Sequence, residues 1–130
     1  MLKITKLDNG LRVVTQNMPG LETVSMGIWN AVGGRDEVEA NNGVAHLLEH
    51  MAFKGTLSKN ALQIAETIED VGGDINAYTS KEITAYFVKL LADDLHYGID
   101  ILTDILQNSA FAEDELNRER GVIIKKLECI

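Results

Sequence analysis

The 130-residue chain is about one domain long, enough to bury roughly two-thirds of its unfolded surface, and its 45% hydrophobic and 25% charged residues are those of a soluble globular protein. Twelve basic against twenty acidic side chains leave a formal charge of −8, which argues against nucleic acid as a partner, because phosphate binding needs a basic surface. With no apolar run of about 18 residues, no membrane span is expected, and the single cysteine, Cys129, permits no internal disulfide, in keeping with a reducing compartment.

Leu2 to Leu7 and Leu11 to Gln16 alternate apolar with polar residues around Asp8-Asn9-Gly10. Asn-Gly between such runs signals a hairpin, since both residues tolerate positive φ. Asn17-Met18-Pro19-Gly20 makes a turn. From Thr23 to Val32 the alternation of Val24, Met26, Ile28 and Val32 predicts a strand, with Trp29 as a packing residue on its other side. Gly33-Gly34-Arg35-Asp36 ends it, and an acidic loop from Asp36 to Asn42 leads into a short helix over 42–53.

After the turn Lys54-Gly55-Thr56, Ser58 or Asn60 caps a second helix with an apolar stripe of Leu62, Ile64, Ala65, Ile68 and Val71, which Gly72-Gly73 stops. Asp74 to Thr79 and Glu82 to Leu90 read as strands around Ser80-Lys81. Ile75, Ala77 and Thr79 share one face, and Asn76 and Tyr78 the other. Asp93 or Asp94 caps a third helix with Leu95, Ile99, Leu102 and Leu106 spaced for burial. A last helix begins near Glu113 and runs through Leu116, Ile123, Leu127 and Ile130 without a stop signal. The order β-β-β-α-α-β-β-α-α predicts an α+β fold, an antiparallel or mixed sheet with helices packed on one face.

The chemistry concentrates in His46-Leu47-Leu48-Glu49-His50, which holds two of the three histidines. Four residues apart on a helix, two imidazoles lie on one face a turn apart and can share one zinc ion. Glu49, three residues after His46, projects over the same face, where it can take a proton from metal-bound water. This HxxEH order marks the inverzincin metallopeptidases. Histidine and glutamate are also ordinary helix-surface residues, and three side chains do not complete a catalytic zinc site.

The flanking residues carry the assignment further. His46-Leu47-Leu48-Glu49-His50-Met51-Ala52-Phe53-Lys54-Gly55-Thr56 resembles the core motif of the pitrilysin/insulinase-type zinc peptidases, most of all the branch containing the mitochondrial processing peptidase β subunit and its bacterial relatives. Leu7-Asp8-Asn9-Gly10-Leu11, Gly72-Gly73-Asp74-Ile75-Asn76-Ala77-Tyr78-Thr79 and Glu119-Arg120-Gly121-Val122-Ile123-Ile124 are similar to further segments of that family, in the same order. The resemblance implies Zn2+ as cofactor, His46 and His50 as its ligands, and Glu49 as general base. Glu119 is implied as an acid supporting the site from nearby, and residues 1–130 as a single, truncated N-terminal peptidase domain. It also implies that an extended peptide substrate pairs with the edge strand at Asn76, Ala77 and Tyr78, and that a second homologous half or subunit closes the clamp. The compartment implied is the bacterial cytoplasm, or the mitochondrial matrix if a leader is missing.

Lys126 departs from the family pattern, standing where the family places a third ligand, a glutamate. An ammonium group has no lone pair to offer zinc. Glu128 lies about 200° around the helix from that position, whereas Glu119 shares the face of Lys126 and is the candidate substitute if the helix shifts. Glu115 falls close to the same line, and a solvated helix face is the plainer role for Glu115, Glu119 and Glu128. The ending is what a truncated or frame-shifted product would look like.

Two functions follow: a zinc metalloendopeptidase, or a catalytically inactive relative or fragment that binds peptide or a partner subunit without cleaving it. Apolar surface left uncovered predicts self-association. His96 reads as a solvated helix residue, and Cys129 lacks the surroundings of a reactive thiol.

Overall fold

The computed structural model describes residues 2–41 and 43–128, without the side chains at 41 and 125–128. The strands β1 (Leu2–Lys6) and β2 (Arg12–Gln16) form the expected hairpin, closed by the Leu7 N–H donating to the Leu11 carbonyl at 2.8 Å. Then come β3 (Thr23–Asn30), α1 (Val44–Ala52), α2 (Ala61–Glu69), β4 (Asp74–Thr79), β5 (Thr84–Leu91), α3 (Leu95–Asn108) and α4 (Glu113–Glu128).

The fold is α+β, with two small antiparallel sheets where one sheet was expected: the β1-β2 hairpin, and a three-stranded sheet in the order β3-β5-β4. β5 is central, and both its edges are taken by β3 and β4. Alternation identifies the faces of a strand but not its neighbours, which is why the separation was invisible in sequence.

Tyr86, Val88 and Leu90 on one face of β5 are buried against Ala52 of α1, Ile64 and Ile68 of α2, and Ile101, Leu102 and Ile105 of α3. The loop before α1 forms two short 3-10 turns, Gly34–Asp36 and Glu39–Asn41. Val32 leaves the β3 ladder, and its carbonyl accepts the Thr84 hydroxyl at 2.7 Å.

Of the two caps the sequence offered for α2, Asn60 is the one used: its carboxamide oxygen accepts the Gln63 N–H at 2.8 Å while the Gln63 side chain accepts the Asn60 N–H at 2.9 Å. Several sequence expectations are corrected. Leu62 is 65% exposed, because it lies about 200° around the helix from Ile64. In α3 the buried residues are Gly98, Ile101, Leu102 and Ile105, leaving Ile99 and Leu106 substantially exposed.

The reason is Gly98, where a Cβ would stand 2.9 Å from Val88. A residue without a side chain lets the helix approach β5, and a count of large apolar residues overlooks it. Asp94 occupies the N-cap position of α3 without a side-chain bond, since the chain enters through a 3-10 turn (Ala92–Asp94) whose backbone takes up the Leu95 N–H. Trp29 stands 59% exposed on the far side of the sheet rather than in the core. The side chains of Lys126, Leu127 and Glu128, and all of Cys129 and Ile130, lie outside the described residues.

Thr56, buried at the turn after α1, ties that turn to α3. Its hydroxyl donates to the Asp104 carboxylate at 2.6 Å, and Ser58 adds a second bond at 3.0 Å. The Thr56 hydrogen bond, helped by Asn108, Ser58 and the charge of Lys59 and opposed by burial, holds the Asp104 carboxyl below its ordinary value of 3.8. A carboxylate with a depressed folded-state pKa adds stability that is complete above the unfolded value and is lost as pH falls through the folded one. Thr56→Val should therefore cost about 1 kcal/mol at neutral pH. It should also flatten the loss of stability below pH 3.8, as urea titrations on either side of that value would show.

Candidate metal centre and peptide edge

The helix α1 starts at Gly43, whose φ of +90° suits glycine, and ends at Phe53. Ala45, Met51 and Ala52 are buried and anchor one side of it. His46 and His50 then fall one turn apart, as their spacing requires, with ring centroids 4.6 Å apart and planes at 75°. Their Nε2 atoms approach to 3.0 Å.

The helix α4 passes beside α1 and delivers Glu119, only 5% exposed, to the other edge of the His50 ring. Its Oε2 lies 2.8 Å from His50 Nδ1, and its Oε1 lies 3.1 Å from Lys54 Nζ. Burial pushes the Glu119 carboxyl up, but the hydrogen bonds from His50 and Lys54, with their charges, outweigh it and leave the group below its ordinary value. An ionised carboxylate only accepts, so the Nδ1 proton belongs to His50. In a neutral ring the Nε2 lone pair then faces His46.

Two imidazole nitrogens bound to one tetrahedral zinc at 2.0–2.1 Å stand about 3.3 Å apart, so the observed pair needs only a few tenths of an ångström to accept the ion. Among the described residues, no group of three His, Cys, Asp or Glu side chains is placed to hold a metal. Glu119 faces Nδ1, away from the converging Nε2 atoms, which is the geometry of a carboxylate that orients a ligand.

Glu49, between the two histidines on the same helix, is half-buried and makes no hydrogen bond or ion pair with other described residues. Its charge reaches Tyr86 of β5, whose phenol is pushed up by burial first and by Glu49 second.

The strand β4 is a sheet edge, as the sequence reading required of Asn76, Ala77 and Tyr78. Asn76 and Tyr78 project on the exposed face and Ala77 on the half-buried one. The Ala77 N–H donates to Asn76 Oδ1 at 2.8 Å, so this backbone group faces away from β5. An open depression of about 350 Å³, lined by Gly34, Glu37, Gly43, His46, Thr79, Ser80 and Lys81, joins the C-terminal end of β4 to His46.

Sequence reasoning missed Lys54 and Glu37. Lys54 was visible only as part of a turn, and its partner is on α4. Glu37 stood in an acidic loop before a helix whose N-cap is glycine, a combination that points to a cap supplied from outside. Glu115, expected to be solvated, is partly buried, with one oxygen 2.8 Å from Arg118 and the other buried without a hydrogen-bond partner among the described residues. His96 is exposed, its ring against Tyr97 at 4.1 Å.

The sequence profile described as Insulinase (Peptidase family M16) matches residues 12–130. The mitochondrial-processing peptidase subunit beta of Mus musculus is 48% identical over 126 residues, covering 97% of this chain and 26% of the mouse protein. The uncharacterized zinc protease YmxG of Bacillus subtilis (strain 168) is 41% identical over 128 residues, 98% of this chain and 31% of that protein. Among solved structures, a protease from Helicobacter pylori superposes with a TM-score of 0.90 at 31% identity, covering 97% of this chain and 30% of that one. The chain thus spans between a quarter and a third of the length of these three proteins.

The buried Glu119 carboxylate depends on both donors. Lys54→Met should destabilise the protein by about 1–2 kcal/mol in urea unfolding, with part of the loss recovered when Glu119→Gln is added. Equal and additive losses in the two single variants would show that the pair is not coupled.

Proposed function

The chain belongs to the insulinase family of peptidases, family M16, and we propose that it carries the zinc-binding and peptide-docking part of a metalloendopeptidase. The observation that supports this most is the approach of the His46 and His50 Nε2 atoms to 3.0 Å, with Glu119 behind His50 at 2.8 Å. In this reading His46 and His50 hold Zn2+ through Nε2, and Glu119 holds the His50 ring by Nδ1. When bound, zinc lowers the pKa of its water toward neutrality and polarises the scissile carbonyl.

With zinc held there, Glu49 would serve as the general base and would hand the proton on to the departing amine, a role that suits a half-buried carboxylate making no hydrogen bond or ion pair with other described residues. The peptide lies extended along β4, hydrogen-bonded through the outward backbone of Ala77, with Asn76 and Tyr78 flanking it. Before it pairs there, the Asn76 carboxamide must release the Ala77 N–H.

A second homologous half or subunit closes over the peptide, either in the bacterial cytoplasm or in the mitochondrial matrix. Self-association fits the exposed Leu2, Ile4 and Val14 of the β1-β2 hairpin.

A second reading, binding without cleavage, is favoured by Lys126 at the family's third-ligand position. Zinc content after dialysis separates the two. Lys126→Glu should retain about one zinc per chain and the parent clearly less. In the Lys126→Glu background, Glu49→Gln should keep the metal and lose peptide hydrolysis by about 10²-fold or more. If neither chain retains zinc, the proposed metal site is wrong. If the parent retains as much as the variant, Lys126 does not stand at the site.

A further inference from the structure

We propose that Glu37 is a positioning residue for the metal helix, a cap reached from outside α1 that fixes where the His46 ring stands. The N-cap of α1 is Gly43, which has no side chain to satisfy the orphan N–H groups of the first turn. Glu37 supplies both acceptors: one carboxylate oxygen takes the Gly43 N–H, and the other takes the Ala45 N–H at 3.1 Å. Ala45 immediately precedes His46. The negative charge also opposes the positive end of the helix dipole.

Glu37 can act as a fixed point because its own loop is anchored elsewhere. The Gly34 N–H donates to the Ser80 carbonyl at 3.1 Å, and the Arg35 N–H to the Lys81 carbonyl at 2.9 Å. The Arg35 guanidinium meets Glu82 at 2.6 Å, and the Asp36 carboxylate takes the Gly33 N–H at 3.0 Å. At Gly33 the backbones are so close that a Cβ would stand 2.3 Å from the Ser80 carbonyl oxygen.

The turn between β4 and β5 is therefore tied through this loop to the start of α1. Glu37 and His46 also line the same depression beside Thr79. At its other end α1 is held by the large buried Met51 together with Ala52, whereas its first turn buries the small Ala45 and leaves Val44 exposed. The first turn is thus the part of the helix whose order depends on the cap, and it carries His46. His50 sits one turn further in and keeps Glu119 as a separate tether.

The importance of this role rests on the reading of His46 and His50 as the metal centre, but the test needs neither metal nor peptide. A chain that never retained zinc would refute that reading and leave this test intact. The measurement is ring-nitrogen and amide NMR on the metal-free chain and on Glu37→Ala and Glu37→Gln.

In Glu37→Ala, the amides of Ala45 and His46 should exchange about tenfold faster or more. The His46 ring nitrogens should move to solvent-averaged tautomer values, while the His50 Nδ1 proton and the core methyl signals of Ile101 and Leu102 stay in place. Glu37→Gln, which keeps one carbonyl acceptor, should lie between the parent and Glu37→Ala. His46 signals unchanged in Glu37→Ala would overturn the proposal. Loss of the core methyl signals in both variants would also overturn it, by making Glu37 a general stabiliser.

Discussion

A carboxylate taken out of water must be compensated where it lies, and Glu119 is the place where that requirement organises this protein. Its two oxygens meet His50 and Lys54, so α4 is bound to α1 and to the turn that follows it by charge-assisted bonds with defined directions. One of those bonds ends on a ring nitrogen. The same contact that satisfies a buried charge thereby selects the histidine tautomer and aims the opposite nitrogen at His46. Packing and chemistry are here one interaction.

Around that contact, each element has a positioning role. The core formed by β5, α2 and α3 gives α1 a floor at Ala52, and Gly98 lets α3 come close enough to complete it. Asp104 holds the turn after α1 through Thr56, and Glu37 holds the start of the helix. A nine-residue helix is marginal alone, so its two histidines are placed by what grips its ends and by Glu119 at its side. The edge strand β4 lies beyond the depression that His46 lines, and the loop bearing Glu37 is bonded to the turn that ends this strand.

Much of this was legible in the residues. The hairpin at Asn9-Gly10, the strand pair around Ser80-Lys81, a cap at Ser58 or Asn60 for α2 and the helical pairing of His46 with His50 are local signals, decided by turn chemistry and by 3.6-residue periodicity. Contacts between residues far apart in the chain were not legible. His50 and Glu119 are 69 positions apart, and only the family resemblance drew attention to Glu119. The Lys54 ion pair, the Glu37 cap and the separation of the two sheets left no periodic trace, because each depends on which elements become neighbours. The stripe of α3 was misjudged because Gly98, the residue that permits the closest approach, adds nothing to a hydrophobic pattern.

The central proposition is that His46 and His50 present their Nε2 atoms to one metal ion while Glu119 keeps the Nδ1 proton of His50 in place. Ring-nitrogen NMR of the parent chain during a titration with excess Zn2+ addresses it directly. The expected result is that the Nε2 signals of His46 and His50 move together to metal-bound values, with the His50 Nδ1 proton retained and His96 unchanged. Metal entering at Nδ1 of His50, or shifts at His96 equal to those at the pair, would contradict it.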